Sequence, residues 1–221
     1  MAVVTLHVDA TAVAVPAGAQ LLQALTAAGV QLPTLCHHPG LSPVAACRLC
    51  LVELEGASRP VPACVTAAAE GQRLHTDTPA LREGRRLIVE LLFAEGNHPC
   101  AVCVANGDCE LQDAAHAVGM DLVTVPYRHP VRRVDASHPL FLLDHNRCIV
   151  CSRCVRVCDE IEGARVWAMA ERGGRTRLIA GLDQPWGSVD SCTSCGKCVA
   201  VCPTGALVSR EDVPLARWPG P

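Results

Sequence analysis

The stretches CIVCSRCVRVCD, residues 148–159, and CTSCGKCVAVCP, residues 192–203, share the spacing C-x2-C-x2-C-x3-C, and each cysteine of the second lies 44 residues after its counterpart in the first. The chain contains an internal repeat. Three closely spaced thiolates wrap one face of an iron–sulfur cubane while the fourth reaches a neighbouring one. The spacing therefore predicts two crossed sites, Cys148, Cys151, Cys154 with Cys202, and Cys192, Cys195, Cys198 with Cys158. Zinc is the alternative, but its usual four-thiolate sites draw on two separated C-x2-C pairs rather than compact quartets. The copies differ at one point: Asp159 stands where the second has Pro203.

The census of cysteines extends the argument. Fifteen in 221 residues is far above ordinary usage. The N-terminus MAVVTLHVDA lacks the basic segment, apolar core and cleavage site of a secretory leader, so a reducing, cytoplasmic setting is expected. Disulfides rarely persist there, and an odd number cannot pair off within one chain. Net charge is -3 with pI 6.3, and no basic run or aromatic platform interleaved with Arg and Lys occurs, which argues against nucleic acid as a partner. The most apolar stretch, LIVELLFA at 87–94, falls far short of the roughly 20 residues a membrane-spanning helix needs, so no membrane insertion is expected. Aromatic content of 3% implies small cores that bound clusters would reinforce.

Along the chain, VVTLHV at 3–8 and AVAVP at 12–16 predict a hairpin turning at Asp9 to Thr11. In AGAQLLQALTAAGV, Leu21, Leu22, Leu25 and Ala28 follow a helical period, with Gly29 as the stop. A Pro- and Gly-rich loop then carries Cys36, Cys47 and Cys50 into a strand at 49–54, and Cys64 follows. The pattern Cys36-x10-Cys47-x2-Cys50-x13-Cys64 is similar to the plant-type 2Fe-2S arrangement, with a longer first gap. A structural zinc site is the alternative on spacing, while the strand, strand, helix, cysteine loop and strand order favours a ferredoxin-like α+β unit ending near Thr76.

From Thr78 a helix with Pro79 in its first turn runs to Gly96 and delivers the chain to NHPCAVCVANGDCELQ, residues 97–112. Cys100, Cys103 and Cys109 stand there without a fourth cysteine, and the other two groups account for every remaining one. A neutral imidazole substitutes for thiolate on iron, and His98, two residues before Cys100, is the candidate. His116, on a following helix closed by Gly119, is the competitor, and a water or partner residue is the other alternative. An imidazole ligand makes the cluster less negative by one charge and easier to reduce. His7, His75, His129, His138 and His145 are expected to be solvated or satisfied by hydrogen bonds.

Residues 125–139 read as an ordered connector, and RVWAMAERGGRTRLIAG as two strands about Gly173 and Gly174. Arg147, Arg153, Arg156 and Lys197 read first as a solvated face, with screening of cluster charge or partner docking as the alternative. There is no G-x-G-x-x-G after a strand, no P-loop and no Ser/His/Asp arrangement, so no catalytic residue or substrate site is expected. The expected domains are 1–77, 78–130 and 131–221.

In order, PTLCHHPGLSPVAACRLCLVELEG, NHPCAVCVANGDCELQ and the two repeats resemble a known family over nearly the whole chain. It is the N-terminal electron-transfer module shared by the large iron–sulfur subunit of complex I, iron-only hydrogenases, NAD-linked formate dehydrogenases and the diaphorase part of NAD-reducing nickel–iron hydrogenases. The resemblance implies an α+β chain with a ubiquitin-like 2Fe-2S ferredoxin domain, a small helical 4Fe-4S domain with one histidine and three cysteine ligands, and a duplicated bacterial-type ferredoxin domain with two 4Fe-4S clusters. The compact spacing of His98 and Cys100, where the family has H-P-x-x-C, looks like the hydrogenase diaphorase subunit. So does the survival of all eight repeat cysteines, with the chain ending 19 residues after Cys202. That implies relay of electrons between a flavin/NAD-binding diaphorase subunit, which would hold FMN and NAD, and the small and large hydrogenase subunits with their nickel–iron centre. The same relay in a formate dehydrogenase or complex I-like enzyme is the nearer alternative, and a zinc-stabilised interaction scaffold the more distant one.

Overall fold

The computed structural model describes residues 2–128 and 130–213; His129 and the tail ending WPGP lie outside the described residues. The chain packs as two units, one from the N-terminus through Glu90 with Ala114–Leu122, the other Leu91–Asp113 with the chain from Val123 onward.

The first unit opens on the predicted hairpin. β1 (Val3–Val8) and β2 (Thr11–Pro16) pair antiparallel, and the two-residue turn puts Asp9 and Ala10 at φ 46° and 75°, the left-handed geometry that matches strand twist. α1 (Leu21–Ala27) buries Leu21, Leu22 and Leu25, and Gly29 at φ 83° ends it where the periodicity stops. β3 (Leu51–Leu54) occupies the predicted strand, two residues shorter at its start. β4 (Val61–Pro62) and β5 (Arg73–His75) were not anticipated; two or three residues are too few to show alternation. They complete a mixed sheet ordered β2-β1-β5-β3-β4, in which β1 and β5 run parallel and the other pairs antiparallel. Leu6, Val8, Val15, Leu25, Val52 and Leu74 form its core together with Cys50 and Cys64.

α2 (Pro79–Glu95) starts on Thr78, whose hydroxyl accepts the Leu81 N–H. Buried Arg85 donates to the carbonyls of Leu49 and Leu51 at 3.1 and 2.7 Å, fixing the backbone on both sides of Cys50. α3 (Glu110–Ala117) ends before Gly119 at φ 62°. No helix among the described residues is long and apolar enough to cross a membrane.

In the second unit the connector contributes β6 (Val134–Asp135), which with β7 (Phe141–Asp144) and the later β10 (Leu207–Ser209) forms an antiparallel sheet ordered β10-β7-β6. α4 (Arg153–Arg156) follows the first cysteine loop, β8 (Trp167–Ala170) and β9 (Arg177–Ala180) pair about the Gly173 turn as predicted, and α5 (Lys197–Ala200) follows the second loop. The repeat is also one of backbone geometry. Val150 and Ser152 are left-handed at φ 57° and 60°, and Ser194 and Gly196, 44 residues on, at 56° and 72°. Alternating handedness turns successive N–H groups into a loop, a concavity suited to anionic sulfur. The copies part where Asp159 replaces proline: helix α4 runs on through a π turn over Val157–Ile161, while α5 stops before Pro203.

Candidate metal centres

Three cavities lie in the second unit, and each is lined by four predicted ligands. Cys148, Cys151 and Cys154 share theirs with Cys202, and Cys192, Cys195 and Cys198 share theirs with Cys158. The loop supplies two thiols and the first helical turn the third. The fourth comes four residues further along the other copy, Cys158 after Cys154 and Cys202 after Cys198. Burial pushes the Cys151 and Cys198 thiols up to about 12 and Cys154 well above its ordinary value, so these sulfurs stay protonated until a cation compensates them.

The third cavity brings His98 together with Cys100, Cys103 and Cys109. Burial holds the imidazole neutral, pushing its pKa down to about 4, and its one backbone hydrogen bond is to Leu92. The buried Nε2 has no partner, so Nδ1 makes that bond and Nε2 presents its lone pair. His116 lies exposed in the last turn of α3 and is absent from this lining. The cradle has been cut to size at Gly205, where a Cβ would come within 2.7 Å of Cys103 Sγ. An orphan imidazole nitrogen, three thiols and a wall without room for a methyl group fit a cluster with one histidine and three cysteine ligands. Thr204 lines both this cavity and the one around Cys148.

In the first unit the thiols form two hydrogen-bonded pairs. Cys36 and Cys47 are one: the bond to Cys47 and burial push Cys36 well up, and the same bond drops Cys47 to about 5. Cys50 and Cys64 are the other, with Cys50 raised and Cys64 lowered for the same reason. Amides of Leu35 and Cys47 donate to the sulfurs of Cys47 and Cys36, both at 3.4 Å, and Ala45 and Arg48 adopt left-handed φ in the loop between. This donor set fits a four-thiolate cluster. Among the described residues no three His, Cys, Asp or Glu side chains converge as tightly as a single metal ion requires.

The chain is 31% identical to the gamma subunit of the NAD-reducing hydrogenase HoxS of Cupriavidus necator, over 97% of this chain and 92% of that protein. It belongs to this family of iron–sulfur subunits. The family model of the 2Fe-2S iron–sulfur cluster binding domain matches residues 1–79 of this chain, that of the NADH-ubiquinone oxidoreductase-G iron–sulfur binding region 85–123, and that of the NADH-quinone oxidoreductase subunit 3 ferredoxin-like domain 138–208. A crystal structure of an NAD+-reducing [NiFe]-hydrogenase in the H2-reduced state contains a similar chain, with a TM-score of 0.88 and 36% identity over 99% of this chain and 90% of that one. A relative from the NADH-quinone oxidoreductase of Rhizobium meliloti is 41% identical over 91% of this chain, which spans about a quarter, 23%, of that relative's length.

One feature departs from the sequence reading, the burial of the arginines, and another, at His138, adds to it. Arg153 and Arg156 are not a solvated face: they are 3% and 6% exposed, because α4 packs against α5. Arg147 lines the His98 cavity and pairs with Asp144, and only Lys197, paired with Glu162, keeps substantial exposure. His138, expected among the bland histidines, is 3% exposed and its Nε2 lies 3.7 Å from Cys192 Sγ. Trp186 Nε1–H donates to the same sulfur at 3.3 Å. Sequence spacing held no signal for these contacts, since His138 and Trp186 precede Cys192 by 54 and 6 residues.

Proposed function

We propose that this chain is the electron-relay subunit of an NAD-reducing hydrogenase in the cytoplasm, standing between a flavin/NAD-binding diaphorase subunit and the hydrogenase small and large subunits. The observation that carries a relay is adjacency: two cavities meet at Thr204, and two are joined by four-residue steps of chain at Cys154–Cys158 and Cys198–Cys202. When bound, iron–sulfur clusters take up and release single electrons, and closely neighbouring sites suit passing them on. The likeness to a hydrogenase chain over nearly all of both sequences supports the hydrogenase assignment over a complex I-like one.

In this reading residues 1–77 form a ubiquitin-like 2Fe-2S domain, 78–130 a helical domain for the histidine-ligated cluster and 131–221 a double ferredoxin domain. Cys36 with Cys47 and Cys50 with Cys64 hold the two irons of one 2Fe-2S cluster, each pair serving one tetrahedral iron. His98, Cys100, Cys103 and Cys109 hold one 4Fe-4S cluster, and the crossed quartets of the repeat hold two more. No residue is catalytic; the reaction of H2 with NAD+ belongs to the partners. The thiol pairs and loop amides position sulfur, the Leu92 carbonyl orients His98, and Arg147 and Arg153 offset negative charge.

The deciding experiment is elemental analysis of the complex that co-purifies with the chain without oxygen. Abundant iron with nickel is expected. Iron with molybdenum or tungsten would reassign the relay to a formate dehydrogenase, iron alone to a complex I-like enzyme, and zinc replacing iron would end the electron-transfer reading.

A further inference from the structure

The two halves of the repeat treat their thiols differently. The cavity around Cys148, Cys151, Cys154 and Cys202 has no aromatic side chain in its lining, and the Thr204 hydroxyl lies 3.9 Å from Cys202. The other half adds aromatic side chains. Trp186 Nε1–H donates to Cys192 Sγ at 3.3 Å. His138 Nδ1 accepts the Leu140 N–H at 3.1 Å, so its neutral ring carries the proton on Nε2, shared between Ser194 Oγ at 3.2 Å and Cys192 Sγ at 3.7 Å.

These donors are held rather than incidental. Trp186 is 1% exposed and meets Trp167 edge to face with centroids 4.7 Å apart, while His138 stacks on Phe141 and leans on Trp186 at 4.9 and 4.5 Å. The Trp186 amide donates to Asp135 at 2.8 Å, and Gly187 lies so close to Ser137 that a Cβ would meet its carbonyl oxygen at 2.3 Å. Packing alone would be served by phenylalanine. An indole adds an N–H, and that of Trp186 is aimed at a sulfur of this cavity.

We propose that Trp186 and His138 are positioning residues that raise the reduction potential of the cluster held by Cys192, Cys195, Cys198 and Cys158 above the level that backbone donors alone would set. The inference rests on the cluster reading above. An N–H bonded to a thiolate sulfur stabilises the state that has gained one electron more than the state that has not, because the added negative charge falls partly on sulfur.

The test is a potentiometric titration of the anaerobically purified complex followed by electron paramagnetic resonance, for the natural chain, Trp186→Phe, His138→Phe and Phe141→Leu. The relevant signal is the one that Cys158→Ser alters. The Trp186 and His138 variants are each expected to keep their iron and sulfide and to lower the midpoint of that signal alone, the reduction equilibrium falling about threefold to tenfold, where tenfold is about 59 mV for one electron. Phe141→Leu, which alters the stack without removing a donor, is expected to leave it in place. Unmoved midpoints in both donor variants overturn the proposal. So does an equal shift in Phe141→Leu, or loss of the cluster from both donor variants, either of which makes the stack a packing device. Zinc in place of iron in the natural chain overturns the cluster reading itself, and metal analysis separates that outcome from the others.

Discussion

Glu110, the first residue of α3, grips the buried guanidinium of Arg153, the first residue of α4, through both terminal nitrogens, with Nη2 at 2.6 Å from Oε2. The pair ties the helix following Cys109 to the helix carrying Cys154, and the Glu110 amide adds a bond to the Pro203 carbonyl at 3.0 Å. Bidentate geometry and a 3% exposed arginine make this more than a surface ion pair, though Glu110 at 46% exposure is screened by water. Glu110→Gln leaves the buried charge half-partnered and is expected to destabilise the protein by about 1–3 kcal/mol. Urea unfolding followed by cluster absorbance reads this directly; a midpoint equal to that of the natural chain would show the pair to be neutral.

His98 presents an unpartnered Nε2 beside three thiols. His98→Cys is expected to retain the middle cluster and shift its potential downward, by roughly 60 mV or more for one added negative charge near it. His98→Ala is expected to lose or degrade it. Unchanged spectra and potentials in both variants would remove His98 from the ligand set.

Cys202 and Cys158 each line the cavity of the opposite repeat. Cys202→Ser is expected to disturb the cluster at Cys148, Cys151 and Cys154, and Cys158→Ser the cluster at Cys192, Cys195 and Cys198. Magnetic resonance of the two variants should show different signals altered, with a serine oxygen ligand or cluster loss at one site each. A defect in the same signal from both would refute the crossing.

Asp135 supplies a pH dependence. Burial alone would raise its pKa, but the Ser137 hydroxyl, the Trp186 amide and the Ser137 amide all donate to it and hold it below the ordinary 3.8. The unfolded chain therefore takes up this proton first on acidification. The stabilisation is fully present above about pH 4 and is lost as pH falls through the lower folded value. Acid unfolding of Asp135→Asn, compared with the natural chain, is expected to show a lower stability at neutral pH and a shallower loss below pH 4; parallel curves would show that the carboxylate contributes nothing.

Much of this was legible from residue spacing because cluster ligation is a local demand. C-x2-C-x2-C folds into one loop whatever surrounds it, and the left-handed residues at 150, 152, 194 and 196 recur with the cysteines. The hairpin, α1, α2 and α3 were legible for a similar reason: period, caps and glycine stops act within a few residues. The strands β4, β5, β7 and β10 carry no such signal: all are two to four residues long, and β5, β7 and β10 pair across long stretches of chain.

What the amino-acid sequence determined by itself was the number and kind of thiol groups, the repeat and the shortage of one thiolate at the middle group. Tertiary structure alone decided that His98 turns a bare nitrogen into that cavity, that Arg153 is buried against Glu110, and that Trp186 and His138 converge on a sulfur of one repeat and not of its twin. The physical reason is range. Ligand spacing is set by a few covalent bonds, whereas burial and hydrogen bonds to sulfur depend on which distant segments the fold brings together.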